Sequence, residues 1–600
     1  MPENTIPVRE AVPEKDTWRL EDIFESDAAW QSEYEALLTL PERALEYEGR
    51  LCESGETLLA FLRLEDEASV RLGKLLGYAS CKSDQDTSNA FYQDMRGKAV
   101  GAYVAFAGAV AFSTPELIAA DDETIEAFYK AVPELKEYAR SIYSVRRMAA
   151  HVLSPAEERL LAAASEMAQS PDNIRSVFMN ADISFPAVCD ADGKEHTLTN
   201  ETYGLLMESP DRTLRENTFK TYYARIAEYK NTLAASLDGQ FKQLRFFSEA
   251  RNYPTTLSAA LDANEVPEAV YENLISAVHE NMDKMYRYVA LRKELLGVDE
   301  LHMYDVYTPL VPQAAEKISF DEAKKTVLSA LEVLGEDYTA LLQKGFDERW
   351  IDVYENRGKR GGAYSTDVSR PHPYVLLNHK NTLDSMFTLA HEMGHALHSW
   401  YSTANQPVNT SNYVIFVAEV ASTCNEVLLM RYLLNKTEDK RERAYLINHF
   451  LDQFKSTVYR QTMFAEFELE MGHMSESGET LTADALSAAY MELNKLYFGP
   501  DMVSDDEIAL EWARIPHFFY DYYVFQYATG FAAAVAIANR ILTEGERAVS
   551  DYKRFLSSGC SADPISLLKI AGVDMSTSAP VKSALSLFDE LIAELEETLG

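Results

Sequence analysis

The sequence predicts a mostly α-helical fold, and three observations support this prediction. Long segments place apolar residues at intervals of three and four, which is the period of an amphipathic helix. Serine, proline and glutamate recur where such segments begin, as they do at helix N-termini. Strand patterns are few and short. With 47% hydrophobic residues in 600, the chain also has enough apolar material for a large core.

Two helix starts are explicit in the sequence. Ser154-Pro155-Ala156-Glu157 forms a capping box with a first-turn proline and predicts a helix as far as Gln169. Ser319 and Glu322 repeat the box without the proline. Apolar periodicity predicts further long helices. It predicts one or two helices over Arg212 to Phe247, and one each over Tyr413 to Leu434, Ala444 to Glu470 and Tyr520 to Leu542.

Strand signals are concentrated in two places. Trp350 to Asn356 and Pro373 to Asn378 flank a glycine-rich stretch and predict a small sheet or hairpin. A second strand pair is expected around Asp190 to Lys194, where Asp192-Gly193 is a turn signal.

The charge balance excludes whole classes of partner. Lys and Arg number 56 against 95 Asp and Glu, which gives a net charge of −39. Nucleic acids and anionic membranes are held mainly by Lys and Arg clusters, so we expect neither as a partner. The longest apolar stretch, Gly101 to Phe112, is too short to span a bilayer and is expected to be a buried helix. Five scattered cysteines and a start without signal-peptide character predict a cytoplasmic protein.

One motif carries the chemistry. His391-Glu392-Met-Gly-His395 is a His-Glu-x-x-His sequence inside a helical pattern. Residues four apart lie one turn above each other, so both imidazoles can bind one metal ion with Glu392 beside it. A helix with merely exposed histidines is the alternative. His398 lies about 10 Å along the axis from His391, too far to share the ion, so we expect a packing or supporting role for it.

The third ligand must come from another element. A metzincin needs glycine at 398 and histidine at 401, where this chain has His398 and Tyr401, so that class is excluded. The following helix carries Glu419 and Glu426 on one face within apolar surroundings. An unpaired carboxylate there is costly and metal coordination offsets the cost, so Glu419 is the expected ligand. Glu426 either orients a metal-bound histidine or is a helix-end glutamate.

Two imidazoles and a carboxylate with an open fourth position are the composition of a catalytic zinc centre, so we expect one zinc ion. Zinc lowers the pKa of a bound water, and Glu392 is the expected general base that takes its proton. The segment from Arg514 to Gly530 is rich in tyrosine and contains His517. Tyr520, Tyr523 and Tyr527 would share one helical face, either as hydrogen-bond donors or as an aromatic core stripe.

HEMGHALHSWY, FVAEVASTCNE and IPHFFYDYYVFQYATG, in this order, resemble the oligoendopeptidase F branch of the thimet oligopeptidase family. The resemblance covers most of the chain from about Asp190 onwards. It implies a helical shell that encloses a deep catalytic channel, and the strand signals above are expected to place a small β-sheet next to the zinc-binding helix. It also implies a zinc endopeptidase that cleaves internal bonds of short peptides. On this basis we expect an N-terminal helical region, residues 1–200, and a catalytic region, residues 201–600.

The resemblance also assigns roles to residues. It places the zinc ligands at His391, His395 and Glu419, the general base at Glu392, and transition-state donors at the residues His517, Tyr520 and Tyr527. The larger thimet-type members have a glycine-rich loop between the histidine and the first tyrosine, whereas only Phe518 and Phe519 intervene here. Val524 stands where those members have another tyrosine, and Tyr523 is a weaker candidate donor.

Two other functions are compatible with the sequence. A dipeptidyl carboxypeptidase needs a fixed cation for the substrate C-terminus, and no residue is singled out for that role. A non-hydrolytic, metal-stabilised peptide-binding protein is disfavoured by Glu392, because structural zinc sites usually close all four positions with protein ligands. Pro373 to Asn378 is expected either to be an edge strand that pairs with an extended peptide through main-chain hydrogen bonds or to pair only within the protein's own sheet. The sequence does not indicate an oligomeric state.

Overall fold

Helices dominate the computed structural model, which describes residues 6–311, 317–368 and 371–599. The chain is 72% helical, which confirms the predicted fold class. It divides into two compact units: Met1–Val152, Glu316–Tyr432 and Ile537–Val573 form the first, and Leu153–Ala315, Leu433–Ala536 and Asp574–Gly600 form the second. The expected division near residue 200 stays a prediction.

The helices up to the middle of the chain follow in sequence order. Those of the first segment are α1 (Asp27–Leu37), α2 (Leu40–Leu45), α3 (Gly55–Gln85), α4 (Ala90–Val110), α5 (Ser113–Ala119), α6 (Asp122–Ala131) and α7 (Ala139–Arg146). The second unit then begins with α8 (Pro155–Ala168), α9 (Ser170–Val177), α10 (Asn200–Met207), α11 (Arg212–Ala227), α12 (Lys230–Ala250), α13 (Thr256–Asp262), α14 (Glu268–His279) and α15 (Met282–Leu296).

The remaining helices include those of the predicted metal site. They are α16 (Phe320–Leu331), α17 (Glu336–Asp347), α18 (Leu383–Asn405), α19 (Ile415–Lys436), α20 (Lys440–Gln453), α21 (Arg460–Glu476), α22 (Ala483–Phe498), α23 (Phe525–Glu544), α24 (Glu546–Leu556), α25 (Pro564–Ile570) and α26 (Ala579–Leu599). Both predicted capping boxes are confirmed at the starts of α8 and α16. The expected helix over 212–247 is the pair α11 and α12.

Seven short strands form three small sheets within the described residues. They are β1 (Val188–Cys189), β2 (Glu195–His196), β3 (Leu301–His302), β4 (Ile351–Asp352), β5 (Tyr364–Thr366), β6 (Tyr374–Leu376) and β7 (Met502–Val503). The antiparallel β1–β2 pair confirms the strand pair predicted around Asp192-Gly193. The parallel β3–β7 pair has no counterpart in the sequence prediction.

The third sheet corrects the expectation of an edge strand. Its order is β4–β6–β5, with β6 parallel to β4 and antiparallel to β5. The strand within Pro373 to Asn378 is therefore central, because both its edges are already paired. A parallel neighbour also excludes a simple hairpin, since a parallel connection needs a crossover. The sheet packs through β5 and β6 against α18, so the expected sheet beside the motif helix is present.

The apolar stretch from Gly101 to Phe112 is not a buried helix, as the sequence analysis expected. It lies mostly on α4, which buries only Met95, Ala99, Ala102 and Phe106, spaced as one helical stripe. Most of its other side chains are exposed, among them Tyr103 and Val104, which are 53% and 61% exposed. The prediction failed because small apolar residues satisfy a helical pattern without needing a neighbour on every face. By length and composition alone, Ala90–Ala119 could cross a membrane, and 17% of its apolar window is buried.

Candidate metal centre

Helix α18 presents the two motif histidines to one point. Thr382 caps its start by accepting a hydrogen bond from the backbone N–H of Ser385, which fixes where the helix begins. His391 and His395 are then one turn apart, and their Nε2 atoms approach to 3.2 Å. Their side chains are 27% and 16% exposed, so the histidines are held by the protein yet remain accessible from outside.

Helix α19 supplies the carboxylate. Glu419 Oε2 lies 3.3 Å from His391 Nε2 and 3.5 Å from His395 Nε2. The three candidate ligand residues form a group whose ligand atoms all lie within 4.8 Å of one another. Ser422 donates to Glu419 Oε2 over 3.2 Å and holds the carboxylate from the next turn of the same helix. The third side chain therefore comes from the residue that the sequence predicts.

The spacing of these atoms fits a zinc ion. Zinc bonds of 2.0–2.1 Å at tetrahedral angles put neighbouring ligand atoms about 3.3 Å apart. The three observed separations, from 3.2 to 3.5 Å, match that edge length. Two imidazole nitrogens and one carboxylate oxygen also form a donor set that zinc favours. The residues present therefore fit the metal.

Glu426 is positioned to orient one of these histidines. Its Oε1 lies 2.5 Å from His391 Nδ1, on the opposite side of the ring from Nε2. An Nδ1–H that donates to this carboxylate leaves the Nε2 lone pair available for the metal. Of the two roles left open by the sequence, the contact favours the orienting one.

Glu392 and the ligands share a strongly acidic environment. Burial alone would lower the pKa of His391, but hydrogen bonds to Glu419 and Glu426 raise that pKa well above its ordinary value. Burial would raise the pKa of Glu419, but the two histidines lower it. Burial raises the pKa of Glu392, although the histidines oppose this rise. Three carboxylates around two imidazoles thus make a site that favours a cation.

His398 serves packing. Its side chain is 1% exposed and stacks on Tyr413, with ring centroids 3.8 Å apart. Complete burial lowers the pKa of His398 to about 3, so the ring is neutral at physiological pH. The sequence expectation that His398 is not a ligand agrees with this environment.

Sequence reasoning missed the residues that set the distance between the two helices. A Cβ on Gly394 would lie 2.6 Å from Ser422 Cα and 2.9 Å from Ala421 O, so only glycine permits this approach of α18 to α19. Asn425, fully buried, donates to Ala390 O over 3.1 Å and accepts from Tyr338. The only feature of the sequence that could have indicated a role for Asn425 is its position next to Glu426 on an apolar helix.

The predicted transition-state residues lie in the second unit and cluster around His517. Its ring centroid is 5.5 Å from Tyr520, 6.4 Å from Tyr523 and 5.9 Å from Tyr527. Tyr527 OH lies 3.5 Å from His517 Nε2, a long hydrogen bond. Burial, and then the nearby charge of Arg175, lower the pKa of His517, which favours its neutral form. The structure thus gathers these four side chains.

The helix that the sequence predicted from Tyr520 begins five residues later. α23 starts at Phe525, so Tyr527 is on the helix while Tyr520 and Tyr523 precede it. The common helical face predicted for the three tyrosines is therefore wrong. Asp521 and Tyr522 both have positive φ, which a right-handed helix cannot contain. The aromatic spacing resembled a helix, but the backbone turns sharply there.

The helical fold and a two-histidine, one-carboxylate centre define a metal-dependent hydrolase, and comparison with known proteins narrows the class. The model of peptidase family M3 matches residues 205–587, and that of oligopeptidase F matches residues 116–185. Oligopeptidase PepF of Bacillus subtilis is 46% identical over 596 residues, covering 99% of this chain and 89% of that protein. Group B oligopeptidase PepB of Streptococcus agalactiae is 40% identical over 592 residues, covering 99% and 98%.

Solved structures agree with these sequences. A peptidase crystal structure from Chlamydophila abortus matches with a TM-score of 0.93 and 33% identity, covering 99% of this chain and 100% of that one. Oligoendopeptidase-F from Enterococcus faecium matches with a TM-score of 0.75 and 36% identity, covering 96% and 99%. The chain therefore belongs to peptidase family M3, in its oligoendopeptidase F branch, as its motifs predicted. It is a metalloendopeptidase.

Proposed function

We propose that the protein is a zinc-dependent endopeptidase that hydrolyses internal bonds of short oligopeptides. The observation that carries the proposal is the triangle of His391 Nε2, His395 Nε2 and Glu419 Oε2, whose edges measure 3.2 to 3.5 Å. These residues hold one zinc ion. Three protein ligands leave the fourth position open, which distinguishes a catalytic zinc from a structural one.

Glu392 is the general base. When bound, zinc polarises the scissile carbonyl and lowers the pKa of water. The Glu392 carboxylate accepts a proton from the attacking water and returns it to the departing amine. Glu392 lies on α18 between the two histidines in sequence, and its side chain is buried. Burial raises the pKa of its carboxyl towards the range useful for proton transfer, which supports this role.

His517, Tyr520 and Tyr527 stabilise the oxyanion that forms when water adds to the carbonyl. The resemblance of this segment to the family's motif, the family match that spans it and the clustering of the three side chains support this assignment. Tyr520 is 48% exposed, so the residue is accessible from solvent. Tyr523 stacks near His517 and is the weaker donor candidate. Preorganised donors of this kind supply a large part of the rate enhancement of hydrolases.

Substrate recognition uses main-chain contacts in a channel within the helical fold. In the sheet beside α18, as far as the described residues show it, β5 has one strand neighbour and β6 has two. An extended peptide can add to such an edge with little side-chain selectivity. A cavity of about 230 Å³ lies between the β5–β6 sheet and the first turns of α18, lined among others by Ala363, Asn378 and Thr388. Both features support peptides over folded proteins as substrates.

A digest of a defined peptide mixture tests the function. The mixture holds peptides of graded length with free and C-amidated termini, and products are identified by mass spectrometry. We expect internal cleavage of short peptides whether their C-terminus is free or amidated. We also expect cleavage to be lost with a chelator and to recover when zinc is added. Cleavage that needs a free carboxyl end would indicate an exopeptidase. Capture of peptides without products would indicate a binding protein, and chelator-insensitive cleavage would exclude the metal mechanism.

We also propose that the enzyme works in the cytoplasm. Its five cysteines form no disulfide within the described residues, and two of them, Cys81 and Cys424, are buried. Such usage is typical of a reducing compartment. Fractionation of the producing cells, followed by immunodetection, is expected to find the protein with cytoplasmic markers; recovery in the secreted or membrane fraction would contradict this location.

A further inference from the structure

Two consecutive residues beside the tyrosine cluster have an unusual backbone. Asp521 and Tyr522 have φ angles of +56° and +60° and stand between Tyr520 and Tyr523. Aspartate tolerates this left-handed region, but a bulky side chain such as that of Tyr522 is rarely found there. Such strain persists only where surrounding contacts hold it in place.

The Tyr522 side chain supplies the largest of these contacts. It is 2% exposed and packs edge-on against Phe241 and Tyr271, with centroid distances of 6.3 and 6.1 Å. Its hydroxyl lies 2.8 Å from Thr256 Oγ1, which also donates to Glu476 over 2.7 Å. A buried phenol with a satisfied hydroxyl thus anchors the bend to the second unit.

The backbone of the bend is held as well. Tyr522 N–H donates to Glu468 Oε1 over 3.1 Å, and the Glu468 side chain is buried. Gln240 Nε2 donates to Asp521 Oδ1 over 2.9 Å and to Phe519 O over 3.3 Å. Burial raises the pKa of the Glu468 carboxyl well above its ordinary value. Helices α12 and α21 therefore both hold the bend.

Gly472 leaves the space that the Tyr522 hydroxyl occupies. A Cβ on this residue of α21 would lie 1.9 Å from Tyr522 Oη, but 3.3 Å from Cζ and 3.2 Å from Thr256 Oγ1. Only the hydroxyl oxygen is thus in severe conflict with a side chain at position 472. The contact pairs one glycine with one oxygen atom, which makes it testable by compensating substitutions.

We propose that Tyr522 is a positioning residue: its buried side chain, with the hydroxyl in the space left by Gly472, locks the strained bend and so sets the direction of the neighbouring Tyr520 and Tyr523 hydroxyls. This inference rests on the proposed role of the tyrosine segment in stabilising the oxyanion. A pinned, glycine-free bend gives donors a fixed direction, which electrostatic stabilisation of a transition state requires.

A double-substitution cycle tests the proposal. Gly472→Ala is expected to lower kcat by about 10- to 100-fold with KM changed less than about threefold, because small misplacements of donors cost this much. Tyr522→Phe removes the conflicting oxygen and is expected to lower kcat by about two- to fivefold. The double variant is expected to recover to within about fivefold of the parent kcat. Gly204→Ala on α10, where the new Cβ meets nothing within 4 Å, is the matched control and is expected to keep the parent kcat.

Thermal unfolding and zinc content are measured for each variant. A general structural defect would change these two quantities, and the double variant would not recover its kcat. A double variant as slow as folded Gly472→Ala, or a folded Gly472→Ala with parental kcat, would overturn the proposal. If Gly472→Ala does not fold, Glu468→Gln keeps the acceptor for Tyr522 N–H, whereas Glu468→Leu removes it. The glutamine variant is then expected to be at least about tenfold faster than the leucine variant, and equal rates would overturn the proposal.

The same assays separate this proposal from the proposed function. If Tyr520→Phe and Tyr527→Phe keep the parental kcat, the role of the tyrosine segment fails, and the positioning role fails with it. If these variants are slow while folded Gly472→Ala is not, only the positioning role fails.

Discussion

The metal centre and the tyrosine segment solve the same problem, holding polar groups in fixed directions, by opposite means. The metal centre uses regular helices: His391 and His395 come from adjacent turns of α18, and Glu419 comes from α19. The tyrosine segment uses an irregular bend with positive φ at Asp521 and Tyr522, held by buried side chains. Regular elements transmit their geometry through sequence spacing, whereas the bend depends on partners distant in the chain.

The largest expected effect is a loss of kcat without loss of zinc when single groups of the tyrosine segment are removed. Replacing His517 by alanine or Tyr527 by phenylalanine is expected to lower kcat by about 10²–10³-fold, the usual cost of losing one oxyanion donor. Zinc content is expected to stay at one ion per chain, because neither residue is a ligand. Steady-state kinetics and metal analysis on the same samples measure both quantities. Loss of zinc from either variant would contradict this separation of roles.

Glu426→Gln is expected to lower the affinity for zinc, whereas the two variants above are expected to leave zinc binding unchanged. It weakens the hydrogen bond that orients His391, and losses of such supporting contacts cost about 10–100-fold in metal affinity. Competition with a chromophoric chelator measures the affinity. Glu336→Gln, an exposed glutamate in the first turn of α17, is the control and is expected to bind zinc like the parent. Equal affinities of the two variants would show that Glu426 does not orient His391.

The smallest expected effect concerns the spacing of α18 and α19. Gly394→Ala forces a Cβ against the backbone of Ser422 and is expected to reduce the free energy of unfolding by about 1–3 kcal/mol, as overpacking does. Gly97→Ala on α4, where the new Cβ meets nothing, is expected to raise it by about 0.5–1 kcal/mol. Denaturant unfolding monitored by circular dichroism measures both. Equal shifts for the two variants would contradict the close helix approach.

The same contrast explains which parts of the candidate site could be predicted from the sequence. The spacing of His391 and His395 predicts a shared metal because an α-helix converts four residues into one turn. Glu419 was predictable because a carboxylate is costly on an apolar helix unless something binds it. Gly394 and Asn425 were not found, since their roles exist only where α18 and α19 cross.

The tyrosine segment shows where such reasoning fails. Tyr520, Tyr523 and Tyr527 have helical spacing, yet only the last lies on α23. Asp521 tolerates a positive φ, but nothing local in Tyr522 indicates one, because glycine, asparagine and aspartate are the residues that normally signal it. The buried partners Glu468 and Gly472 that stabilise the bend lie some 50 residues earlier in the chain. The exposed face of α4 was missed for a related reason, since composition does not show how many neighbours a helix has.

The most direct test of the proposed zinc mechanism is the zinc content and peptide cleavage of Glu392→Gln measured on the same preparation. Glutamine keeps the shape of the side chain but cannot accept the proton from water, so kcat is expected to fall by about 10²–10⁴-fold. Zinc is expected to remain at one ion per chain, because His391, His395 and Glu419 are unchanged. Cleavage at the parental rate by the zinc-loaded variant would contradict the mechanism.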